Sequence, residues 1–355
     1  QGLFDVRIFG NDQSNIIYGD SGNDNINGKG GDDYLYGREG DDTILIGGSG
    51  NAYLDGGEGI DTFRVGLQNM DWPKTDDPDN LVNYKYTVNL EQEVAGNDTV
   101  VNFENVDYFG EYDSEITGDE KDNFISSGSG DDVLRGGAGN DTLNAGAGND
   151  ILYGEEGDDT LILGGSGHTV FDGGEGNDTV YIELFSSRKT TLIVDFENSI
   201  FKEDTEVDDP RYDTFTNVEN LEISGTDNDV IMTGDDNDNV LTTDGGDDVI
   251  DGGAGDDILN AGSGDDHLIG GEGNDILILA GSGDSILDGG AGIDTFKVDL
   301  SNWTPSIETY PNPFDYSNNS GFVYKVNLEE QFAGSKYDSN AKNNDTLIDI
   351  ENVDY

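Results

Sequence analysis

The chain has 355 residues, 77 acidic against 16 basic, and a formal net charge of −61. A field of that sign repels nucleic acid and anionic lipid and attracts cations. The absence of cysteine excludes disulfides and thiolate metal sites, and no run of about 18 apolar residues is present to span a membrane.

Taken in chain order, residues 2–10 read as the tail of an earlier unit, and a first block of glycine-rich repeats runs from about residue 10 to 64. A second block covers about 118–181 and a third about 225–297, with connectors at roughly 65–117, 182–224 and 298–355. The stretch from Gly56 to Phe63 recurs at 173–180 and at 289–296, so three long units are expected, 1–117, 118–224 and 225–355. The chain is expected to be a stretch of a longer protein.

Within the blocks the period is nine. Its plainest copy is Gly136–Asn144, followed in frame by 145–153 and 154–162, and it reads G-G-x-G-x-D-x-U-x with U large and apolar. Glycines at the first, second and fourth places permit positive φ and close backbone approach, so carbonyls can converge. The sixth-place aspartate adds the hard anionic oxygen that Ca²⁺ prefers. The eighth place points inward from a short strand, as one side of a period-two pleat must. Expected metal ligands are Asp24, Asp33, Asp42 and Asp61 in the first block. In the second they are Asp132, Asp141, Asp150, Asp159 and Asp178, and in the third Asp248, Asp257, Asp266, Asp275 and Asp294. The fourth-place glycines beside them are Gly22, Gly31, Gly40, Gly130, Gly139, Gly148, Gly157, Gly246, Gly255, Gly264 and Gly273.

The eighth places, among them Ile26, Leu35, Ile44, Leu143, Leu161, Ile250 and Leu277, predict a ladder-like core of one aliphatic side chain per turn. So thin a core cannot offset the ordering of nine backbones on its own. Without cations the repelling aspartates should leave the chain disordered.

One slot breaks the frame in every block. Asp42 to Ala52, Asp159 to Thr169 and Asp275 to Ser285 span ten residues, with Ile46, Leu163 and Leu279 as the additions. An added residue kinks a ladder as a bulge does, and the next sixth place has lost its carboxylate. This predicts a turn without its own metal ligand; an ancestral defect copied by duplication gives the same coincidence.

The connectors share Asp98-Thr99-Val100, Asp213-Thr214-Phe215 and Asp345-Thr346-Leu347, then Glu104-Asn105-Val106, Glu219-Asn220-Leu221 and Glu351-Asn352-Val353. Their alternation and β-branched content predict strands, in wider coils that continue the roll. The middles, 69–83 and 304–320, are expected as loops; Trp72 and Trp303 there invite packing or a ligand.

These nonapeptides resemble the RTX, or haemolysin-type calcium-binding, repeat family over about half the chain. The resemblance implies an all-β, right-handed parallel β-roll or β-solenoid with calcium between turns, three blocks joined by strand-containing connectors, and two nonapeptides per coil. It implies multiple Ca²⁺ ions shared by sixth places eighteen apart: Asp24 with Asp42, Asp132 with Asp150, Asp141 with Asp159, Asp248 with Asp266 and Asp257 with Asp275. It implies export by type I secretion, an extracellular or cell-surface location, and folding in external calcium.

No catalytic constellation is found. His168 and His267 lie in nonapeptides outside any H-E-x-x-H frame, and no G-x-S-x-G elbow exists. The sequence therefore predicts no enzyme, no nucleic-acid partner and no membrane insertion. It predicts a structural and folding module, rod-like with calcium, of an adhesin, filament, surface layer or toxin, able to self-associate. The alternative is an accessory module of a polysaccharide-acting enzyme with a glycan or cell-surface partner.

Overall fold

The computed structural model describes residues 4–47, 50–66, 85–183, 190–204, 212–225, 227–281, 283–299, 324–327, 332–335, 344–348 and 352–354. The segments at 69–83 and 304–320, with Trp72 and Trp303, lie outside the described residues. Every regular element among the described residues is a short β-strand. The chain divides into two compact units, Gln1–Tyr181 with Asp213–Val218 and Ile182–Tyr212 with Glu219–Tyr355. Each is a parallel β-solenoid.

The nine-residue period becomes a coil of two strands and two turns. In the first unit Asn25 stands opposite Thr43 and Thr142 opposite Thr160; in the second, Ile258 stands opposite Ile276. Each step is 18 residues, so two nonapeptides make one coil and alternate strands fall into two facing sheets. The register becomes 19 where the frame is broken: Tyr34 opposite Tyr53, Ile151 opposite Val170, His267 opposite Ile286. The additions Ile46 and Leu163 turn inward and are buried. In the third block the inward place is taken by Ala280, and Leu279 is only half-buried.

The core is the predicted ladder. Ile26, Ile44, Phe63, Val106, Ile125 and Leu143 stack in register, each fully buried. Leu35 and Leu54, then Leu134 and Leu152, do the same from the facing sheet.

The connectors continue the sheets as strands, but the expectation of simply wider coils needs correction. In the first, Asp98–Val101 lies parallel to Tyr53–Glu58 and antiparallel to Val94–Ala95. Val94–Ala95 is antiparallel to Tyr86–Asn89, which runs parallel to Ser114–Thr117. The third connector repeats this insertion with Tyr324–Asn327, Phe332–Ser335 and Asn344–Ile348. Three strands running up, down and up restore the original direction, so the extra residues are paired without breaking the parallel ladder on either side. The facing sheet receives one strand, Asn105–Tyr108. Buried Tyr86 and Tyr108 stack at 5.6 Å inside this coil, and Tyr108 Oη donates to Tyr112 O at 3.0 Å.

Candidate metal centre

The turns between strands bring the sixth-place aspartates into columns along two edges of each solenoid. On the first edge Asp24 N donates to Asp42 Oδ1 and Asp42 N to Asp61 Oδ1, both at 2.7 Å. The series resumes with Asp141 to Asp159 and Asp159 to Asp178 in the first unit, and Asp257 to Asp275 and Asp275 to Asp294 in the second. The second edge carries Asp33, Asp132, Asp150, Asp248 and Asp266: Asp132 N donates to Asp150 Oδ1 at 2.9 Å and Asp248 N to Asp266 Oδ1 at 3.1 Å. All fourteen predicted aspartates are buried, and the five predicted pairs are neighbours in their columns.

The glycines make this stacking possible. All the predicted fourth-place glycines except Gly22 have φ between 117° and 156°. A Cβ on Gly40, Gly148 or Gly264 would collide with the carbonyl of Gly22, Gly130 or Gly246 in the preceding coil.

One carboxylate oxygen of each first-edge aspartate is used by the ladder. At Asp24 the other accepts from Asp20 N at 2.8 Å, whereas Oδ2 of Asp42, Asp61, Asp141, Asp159, Asp257 and Asp275 is buried without a hydrogen bond. Beside it the first-place glycine leaves a cradle. A Cβ on Gly37 would overlap Asp42 Oδ2 and Gly56 O, and one on Gly136, Gly154, Gly252 or Gly270 would meet the equivalent pair. Burial pushes the carboxyls of Asp61, Asp141 and Asp257 up to about 7 and those of Asp42 and Asp275 to about 6; adjacent carboxylates add to the rise. An unpaired buried carboxylate oxygen facing a carbonyl across a gap too small for a methyl group is costly on its own. As a donor set for a hard cation it fits, because Ca²⁺ takes carboxylate and carbonyl oxygens together. Among the described residues no three acidic or histidine side chains form a metal-holding group, so a cation bound here would have to draw on backbone carbonyls as well.

Two further sets of residues complete the columns. In the broken slots the connectors supply the missing acid: Ala52 N donates to Asp98 Oδ1 and Thr169 N to Asp213 Oδ1, each at 2.7 Å. On the first edge Asp61 N donates to Glu104 Oε2 at 2.9 Å, and a Cβ on Gly56 would overlap Asn102 O. Asn102, at φ 56°, thus stands where a repeat would place glycine. The Asp-Thr and Glu-Asn triplets carried that signal in the sequence, read there only as strand formers. The second set is the fifth place. Asp41 N donates to Asn23 Oδ1, Asn149 N to Asp131 Oδ1 and Asn274 N to Asp256 Oδ1, at 2.7–3.0 Å. This ladder points back to the preceding coil, opposite in polarity to that of the sixth places. Its signal was the recurrence of Asn or Asp before every sixth-place aspartate but Asp61 and Asp294, which follow Ile60 and Ile293. His168 is exposed and His267 half-buried; His168 N joins the fifth-place ladder through Asn149 Oδ1.

The profile of the RTX calcium-binding nonapeptide repeat (four copies) matches residues 9–44, 110–143, 126–161, 163–181, 242–277 and 278–297. The chain carries RTX calcium-binding nonapeptide repeats in all three blocks. Comparison with curated proteins gives no match.

Proposed function

We propose that this chain is a calcium-dependent structural and folding module of a secreted bacterial protein of the adhesin, filament, surface-layer or toxin kind, with sixth-place aspartates and turn carbonyls as the calcium ligands. The observation that carries the reading is the row of buried Oδ2 atoms without hydrogen bonds, each facing a carbonyl across a glycine cradle. Extracellular calcium sites work at Kd ~10⁻⁴–10⁻³ M. Such sites stay empty in the cytosol and fill outside, where each filled site adds to stability by mass action. A chain that folds only after export follows from this. Tandem duplication at 116–117 residues favours a structural array, with 1–117, 118–224 and 225–355 as its copies.

Equilibrium dialysis of the 355-residue chain against calcium is expected to give several bound ions with a midpoint of ~0.1–1 mM. A chain that binds none at 10 mM, with magnesium absent, would overturn the reading.

A further inference from the structure

The two edges of each solenoid are not chemically alike in the second and third blocks. On the first edge the first place of the turn is glycine, at Gly136, Gly154, Gly252 and Gly270. On the second edge the same place is Ser127, Ala145, Thr243 or Ala261, all buried.

Those side chains stand where the first edge leaves its cradle. Thr243 Oγ1 donates to Asp248 Oδ2 at 2.6 Å and lies 3.1 Å from Ala261 O. These two oxygens correspond to Asp257 Oδ2 and Gly270 O, which face an open cradle at Gly252. Ser127 Oγ donates to Ala145 O at 2.7 Å. Ala145 and Ala261 place a methyl group at the equivalent point of the next coil. In the repeat frame the carboxylates of this edge stop at Thr169 and Ser285: Thr169 N turns to Asp213 Oδ1 of the connector at 2.7 Å, and Ser285 Oγ accepts from Asp266 N at 3.2 Å.

We infer that in the second and third blocks calcium is held along the first edge only, and that on the second edge hydroxyl and methyl groups of Ser127, Ala145, Thr243 and Ala261 take the ion's place. The inference rests on the calcium-binding reading above and narrows it. The thermodynamic sense is direct. A hydroxyl that donates to the buried carboxylate removes the penalty that an ion would otherwise remove, and a methyl group fills the volume the ion would need. The second edge then contributes equally to stability at any calcium concentration, while the first edge carries the calcium dependence. Asp132 makes the most demanding case. Its Oδ2 is buried without a hydrogen bond, because the Ser127 hydroxyl at the first place donates to Ala145 O instead.

The test is the calcium content of the full chain, by equilibrium dialysis, for Asp141→Asn and Asp257→Asn against Asp132→Asn and Asp248→Asn. The first pair is expected to lose about one ion each, and the second pair to keep the full count. An equal loss from Asp132→Asn or Asp248→Asn overturns the inference. Should a variant fail to fold, anomalous scattering from calcium crystals of the unmodified chain decides instead. Within the second and third blocks, peaks along the first edge, beside Gly136, Gly154, Gly252 and Gly270, support the inference, and peaks beside Ser127, Ala145, Thr243 or Ala261 overturn it. A chain that binds no calcium at all defeats the underlying reading, which distinguishes the two failures.

Discussion

In EDTA at neutral pH the chain is expected to show a coil-like circular dichroism spectrum, and acidification toward pH ~4, still without calcium, is expected to restore strand. The reason lies in the buried carboxyls. Asp61, Asp141, Asp150, Asp257 and Asp266 are driven by burial from 3.8 to about 7 in the folded chain. A folded-state value above the unfolded one means that the folded form retains protons which the unfolded form releases. The penalty is absent below the unfolded value, grows as pH rises through it, and is complete above about 7. At about 1.4 kcal/mol per unit each group costs up to ~4 kcal/mol. Half of that, over five groups, is ~10 kcal/mol, as large as the whole net stability of an ordinary domain. Calcium answers the first-edge members of this set, Asp61, Asp141 and Asp257, without protons, so its midpoint should rise to higher concentration as pH falls from 7 to 5. A strand-rich spectrum in EDTA at pH 7.5, with magnesium also absent, would contradict this account.

Much of the fold was readable because three demands recur in one nine-residue frame. The eighth places could only point inward, and Ile26, Leu143 and Leu259 are fully buried. The ten-residue slot announced a register change, and the coils step by 19 there. Strand direction in the connectors was not readable, because apolar alternation along 86–101 is the same for parallel and antiparallel pairing. What Asp98, Asp213 and Glu104 do was hidden for a related reason. Each acts on a backbone N–H 43 to 46 residues away, beyond any local pattern. The difference between the two edges was present in the letters, as Ala145 or Thr243 against Gly136. In a strand such a change looks like harmless variation; only the stacking of coils shows that the missing Cβ is a space between a carboxylate and a carbonyl.

Replacing Gly136 with alanine is expected to remove about one calcium ion from the chain and to raise the calcium midpoint of folding severalfold. Gly136 is not among the glycines with positive φ, so its backbone accepts a side chain and any effect must come from space. A methyl group there would overlap Asp141 Oδ2 and Gly154 O, the pair that a bound ion would draw on. Gly137 provides the contrast. Its φ is 115°, and a Cβ would strike Asp119 O of the preceding coil. Gly137→Ala should therefore destabilise by about 1 kcal/mol or more at every calcium concentration. The two variants separate the uses of glycine in the repeat, one for the turn and one for the ion. Dialysis counts and thermal melts at low and saturating calcium distinguish them: Gly136→Ala should differ from the parent most where calcium is limiting, Gly137→Ala equally at both. If Gly136→Ala keeps the full count and an unchanged midpoint, the first-place glycine does not make room for the ion. The open cradle would then have to be explained by backbone packing alone.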